Sequence, residues 1–137
     1  MAEVLSTKIF TFYKQIEVPQ NLMKFLNADE RALFGVKTFR DAAIFTDKKI
    51  LICDKQGITG KKVEYFAIPY SKIVTYSIET AGNFDLDAEI KLTLPGGVNI
   101  EFQFIKDRNM DELLFKVFNT IDNYVAVSYT HLTLPTT

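Results

Sequence analysis

The chain contains no tryptophan, one cysteine, one histidine, four prolines and six glycines among its 137 residues. Each shortage removes a class of chemistry. A lone Cys53 cannot close an internal disulfide, which fits a reducing compartment and leads to the expectation of a cytoplasmic protein. The one histidine, His131, sits in the threonine-rich stretch VSYTHLTLPTT. The rest of the chain therefore offers no Ser-His-Asp triad, no Cys-His dyad and no histidine metal ligands. No run approaches the ~18 apolar residues of a membrane span. Residues 1 to 18 break their apolar positions with Glu3, Lys8, Lys14 and Glu17, unlike the apolar centre of a signal peptide. Excess charge is missing as well. A formal net charge of −1 gives no overall attraction to nucleic acid or to an anionic membrane.

What the chain does have is apolar side chains in periodic order. Hydrophobic residues make up 47% and charged residues 24%, a globular composition with enough length for one core. In Asp85 to Leu94, DLDAEIKLTL, Leu86, Ala88, Ile90, Leu92 and Leu94 alternate with Asp85, Asp87, Glu89, Lys91 and Thr93. That period of two is the mark of a half-buried strand. Pro95-Gly96-Gly97 makes a turn, and Val98, Ile100, Phe102 and Phe104 return on one face, which predicts an antiparallel hairpin. Five earlier segments are strand-length and rich in Val, Ile, Phe and Tyr: 31–39, 42–46, 49–54, 63–68 and 73–79. Short connections between seven such strands predict a twisted antiparallel meander, either a sandwich or a barrel.

The period then changes. Met110, Leu113, Leu114, Val117, Phe118, Ile121 and Val125 recur at three and four, with Asn109 as N-cap and Glu112 at the reciprocal capping position. One amphipathic helix following the strands is expected to lay its stripe on the sheet or in the open end of the barrel. Residues 1–28 are expected to form an N-terminal extension, partly helical, with Pro19 opening a short helix through Leu26 and Ile9, Phe10, Phe12 and Tyr13 as a second apolar cluster. Residues 29–126 are expected to form the domain. Residues 127–137 look like a vector- or adapter-derived read-through tail and are set outside the fold, the alternative being an extra strand over Ser128 to Leu134.

Phe39 to Leu92 carries a series of longer motifs: an RD before the first hairpin, an FTDKK turn, DKQGITGKK, IPY and ETAGNFDLDAE. In these the chain resembles the small bacterial pleckstrin-homology (PH) domain family, with Lys49 standing where an arginine is usual. The resemblance implies a mainly β fold, a seven-stranded antiparallel barrel capped by a C-terminal helix. It also implies a module that assembles into rings, of unassigned biochemical activity.

Each candidate site has a plainer reading beside it. Asn83, Asp85, Asp87 and Glu89 begin like an EF-hand loop, but the required Gly and Glu are replaced by Ala88 and Leu94. Alternate strand residues stand about 7 Å apart in a row, so these carboxylates form a ladder and no metal is expected. Asp85 and Asp87 have a spacing compatible with paired catalytic acids, but every amphipathic strand has it. Gly57 to Lys62 lacks the spacing, the hydroxyl and the following helix of a phosphate loop, which leaves Lys61 and Lys62 as a weak anion site at most. The first hairpin connection offers only Arg40 beside Asp41, a poor grip for a lipid headgroup. Cys53 reads as a small apolar residue of a strand.

No nucleophile and base accompany these motifs, so no enzyme and no cofactor are expected. The expected partner is the chain itself, through a candidate interface of Arg40, Asp41, Lys61, Lys62, Glu79, Asp85, Asp87 and Glu89, whose opposite charges would set the register of a ring. A peptide or another protein held at a sheet edge or beside the helix is the alternative.

Overall fold

The computed structural model describes residues 6–57, 61–80, 88–105 and 110–133. Eight strands and one helix follow in order: β1 (Ser6–Ile16), β2 (Ala32–Thr38), β3 (Ala42–Thr46), β4 (Lys49–Gln56), β5 (Lys62–Pro69), β6 (Thr75–Thr80), β7 (Ala88–Leu94), β8 (Val98–Phe104) and α1 (Met110–Thr133). A 3-10 turn over Gln20–Phe25 joins β1 to β2. The strands make one sheet in the order β5-β4-β3-β2-β1-β8-β7-β6.

The expected barrel has seven strands and the observed sheet has eight, because the segment read as an N-terminal extension supplies β1. Its first half runs parallel to β8, from Ser6 opposite Val98 to Phe12 opposite Phe104. Its second half runs antiparallel to β2. The domain therefore does not begin at residue 29. The physical reason the strand was not legible is a bulge between Phe12 and Lys14, which shifts the register and reverses the inward phase. Phe10 and Phe12 face the main core, whereas Ile16, of the same parity, packs on the opposite side of the sheet.

The sheet curls so that its two halves enclose a single main core. Phe12 lies at its centre, stacked on Phe102 at 4.7 Å and edge-on to Phe45 and Phe104. The curl brings β5 back toward the start of β1, although the two are not neighbours in the sheet: Phe10 meets Phe66, and the Lys8 ammonium pairs with Glu64 at 2.9 Å. Helix α1 closes the core with Met110, Leu113, Leu114, Val117 and Ile121, the stripe its period predicts. The proposed cap Asn109 lies outside the described residues. The helical backbone continues through Thr133, so Ser128 to Leu134 does not form the alternative strand over its described part.

All five residues of β3 are buried. Ala43 and Phe45 enter the main core, while Ala42 and Ile44 form a second cluster with Leu51, Cys53 and Leu22 on the outer face. The 3-10 turn is thus a strap covering β3 and β4, anchored by Leu22. Gly35 makes its close passage possible, since a Cβ there would stand 3.0 Å from the Glu17 carbonyl oxygen. At the β7–β8 turn Gly96 and Gly97 both take positive φ, 82° and 77°, which only glycine adopts freely.

Candidate functional site

The family-like motifs fall into two groups, one turned inward and one outward. FTDKK and IPY belong to the first. The Thr46 hydroxyl accepts the backbone N–H groups of Lys48 and Lys49, closing the β3–β4 turn, and donates to Glu30 Oε2. Glu30 Oε1 accepts the Asn27 N–H at 3.0 Å and the Lys49 ammonium at 2.9 Å. Lys49 Nζ also donates to the Phe25 carbonyl at the end of the strap. Burial alone would raise the Glu30 pKa, but the bonds from Thr46, Asn27 and Lys49 outweigh it and hold the carboxyl below its ordinary value. Tyr70, fully buried, donates its hydroxyl to the Thr46 carbonyl at 2.8 Å and stacks on Tyr124 of α1. These motifs weld strap, turn and helix together.

The RD pair is also engaged within the chain. The Asp41 N–H donates to Thr38 Oγ1, and Arg40 Nη1 donates to the Lys55 carbonyl at 3.1 Å. Cys53 Sγ donates to Asp41 Oδ2 at 2.9 Å, and Lys55 Nζ stands 3.9 Å from the other oxygen. Arg40 and Asp41 therefore fix the β2–β3 turn against β4. Desolvation, then the hydrogen bond to Asp41 and its charge, push the Cys53 thiol up to about 12. Only the thiolate is nucleophilic. Iodoacetamide at neutral pH is accordingly expected to leave Cys53 unmodified in the folded protein and to label it rapidly in urea; fast labelling of the native state would contradict this geometry.

The charges that face outward are Lys61, Lys62, Glu79 and Glu89. Lys61 and Lys62 are exposed where the chain enters β5, and a strand follows in place of the helix a phosphate loop requires. At the other end of the sheet Glu79 of β6 lies directly opposite Glu89 of β7. Like charges so placed repel. Lys91, two positions along β7, relieves this by pairing with Glu79 at 2.5 Å, a contact that raises the lysine pKa. Sequence reasoning missed Lys91 as the partner, although it stands in the same outward alternation as Glu89. Asp85 and Asp87 lie outside the described residues, as do Asn83 and Gly60.

The register places the outward residues of four strands in rows. Thr75, Thr93, Asn99 and Thr7 make one row, Ser77, Lys91, Glu101 and Ile9 the next, and Glu79, Glu89, Gln103 and Thr11 the third. Glu79, Glu89 and Glu101 thus surround one lysine on an acidic face. The strands at the two ends of the sheet, β5 and β6, lack an outer hydrogen-bonded neighbour among the described residues. No helix of the described residues is long and apolar enough to cross a membrane.

The model of the bacterial PH domain family matches residues 5–122. The Bacillus subtilis protein YjqA is 42% identical over 98 residues, covering 70% of this chain and 78% of its own length. A PH-domain protein of Shewanella loihica PV-4 shares the fold with a TM-score of 0.69 at 32% identity, covering 82% of this chain and 96% of that one. The PH domain of Shewanella amazonensis SB2B gives 0.60 at 39% identity, covering 77% and 82%. The match begins at residue 5, as it must if β1 is integral to the domain. With its curled sheet, capping helix and inward-turned FTDKK and IPY motifs, this chain belongs to the bacterial PH domain family.

Proposed function

We propose that this chain is a noncatalytic PH-like assembly module whose subunits associate head to tail into a ring-shaped homo-oligomer. The observation that carries the reading is the charge carried by the two edges of the sheet that lack an outer neighbour among the described residues. One edge begins at Lys61 and Lys62 beside β5, and the other bears Glu79 on β6 with Glu89 beside it. A joint between two different surfaces propagates from subunit to subunit and closes into a ring when the rotation allows. Lys61 and Lys62 of one copy facing Glu79 and Glu89 of the next would set that register. Arg40 and Asp41 are held in their own turn and are left out of the joint. Cys53, the one thiol, is buried and protonated, which supports a noncatalytic role.

Light scattering on a chain ending at residue 126 tests the reading; this cut keeps Met110, Leu113, Leu114, Val117, Phe118, Ile121, Tyr124 and Val125, the helix residues seen to pack on the core among the described ones. An oligomer is expected. K61E/K62E and E79K/E89K are each expected to weaken association about tenfold, and a mixture of the two to restore it, because each variant then offers the charge its neighbour requires. A parental chain that stays monomeric at every concentration overturns the proposal. The same edges support a second reading, in which a peptide adds as a strand to β6.

A further inference from the structure

A shallow pocket of about 330 Å³ opens between β1, the β2–β3 turn and β4, lined by Ile9, Phe10, Thr11, Thr38, Phe39, Arg40 and Asp54. Its floor is protein core, since Phe10 and Thr38 are buried. Its walls are not: Ile9 is 54% and Phe39 66% exposed, unusual for side chains of this size side by side. Arg40 is held in place twice, by the hydrogen bond to the Lys55 carbonyl and by the Phe39 ring, whose centroid lies 5.7 Å from the guanidinium carbon. Among the described residues that single hydrogen bond leaves most of the five guanidinium donors unused. Asp54 has no ion pair among the described residues, and it does not pair with Arg40.

A cation and a carboxylate without ion-pair partners among the described residues, in one small pocket beside the exposed Ile9 and Phe39, match a ligand that carries both charges and an apolar tail. We propose that this pocket binds a free α-amino acid with an apolar side chain. Its carboxylate takes the Arg40 guanidinium, its ammonium takes Asp54, and its side chain covers Ile9 and Phe39. The volume lies at the lower end of small-ligand sites, which suits a single amino acid better than a drug-sized molecule. A phosphorylated ligand is disfavoured, because the Asp54 carboxylate on the pocket wall repels a multiply charged anion.

The test is a chemical-shift titration of the isotope-labelled full chain with L-leucine, leucinamide and N-acetylleucine. Leucine is expected to saturate shifts of Ile9, Phe39 and Arg40 at millimolar concentration. Leucinamide, lacking the carboxylate, and N-acetylleucine, lacking the ammonium, are expected to bind about tenfold more weakly. Arg40→Gln should erase the preference over leucinamide, and Asp54→Asn the preference over N-acetylleucine. The three-ligand comparison on the unaltered chain stands even where a variant disturbs the turn. Equal binding of all three, no shifts at tens of millimolar, or leucine binding that falls as protein concentration rises because a second copy covers the pocket, would each overturn the proposal.

Discussion

Glu30→Gln is expected to destabilise the fold by about 3 kcal/mol, because it leaves the Lys49 ammonium largely buried without its counter-charge. The Glu30 side chain has no exposure and that of Lys49 only 17%. The carboxylate also accepts from Thr46 and from the Asn27 N–H, and an amide nitrogen in place of one oxygen cannot accept, so the contacts that tie the strap and the β3–β4 turn to the chain entering β2 are weakened together. Urea unfolding at neutral pH measures the loss. Adding Lys49→Met to Glu30→Gln should recover part of it, since removing the buried ammonium leaves no charge in need of a counter-charge. The pH dependence has a definite sign. The Glu30 pKa is depressed in the folded state below its ordinary 4.5, so over that interval the unfolded chain binds the extra proton. Its contribution is full above the ordinary value and is lost as pH falls through the lower folded value. Glu30→Gln should therefore flatten the acid limb of stability against pH. An unchanged limb would mean that Glu30 is not held as an ion in the fold.

A chain beginning at residue 29 is expected not to fold. It lacks β1, which stands between β2 and β8 and joins the two halves of the sheet. It also lacks Phe10, Phe12 and Leu22, all buried, and with Leu22 the strap over β3 and β4. Truncating single buried phenylalanines or leucines costs roughly 2–5 kcal/mol each, against a net stability of about 5–15 kcal/mol for a whole domain. The loss of three, together with a central strand, consumes that margin. Circular dichroism and urea titration of the truncated chain check the outcome. A cooperative unfolding transition would show that residues 29–126 hold together without β1.

Much of the architecture could be read locally. Ala88, Ile90 and Leu92 point inward and Glu89, Lys91 and Thr93 outward, as their alternation requires, and Ile100, Phe102 and Phe104 complete the hairpin. The helical stripe of Leu113, Leu114, Val117 and Ile121 faces the sheet for the same reason. Ala42 to Thr46 shows no alternation because both of its faces are covered, and Ser6 to Ile16 conceals its strand because the bulge reverses its phase. Of the candidate site, the individual charges were legible but not their partners. Lys91 becomes the partner of Glu79 only through the register of β6 on β7. Ile9, Phe39, Arg40 and Asp54 share a pocket only because three distant segments meet at one corner.

The β class, seven of the strands, the capping helix and the family are legible in the chain's local pattern, since periodicity and turn chemistry act over a few neighbouring residues. The tertiary structure decided what those residues do. It placed Arg40 and Asp41 in a structural turn, buried Glu30 with Lys49, and put β1 in the middle of the sheet. Burial, strand register and the meeting of distant side chains are set by the closure of the whole sheet, and no local window of sequence contains that closure.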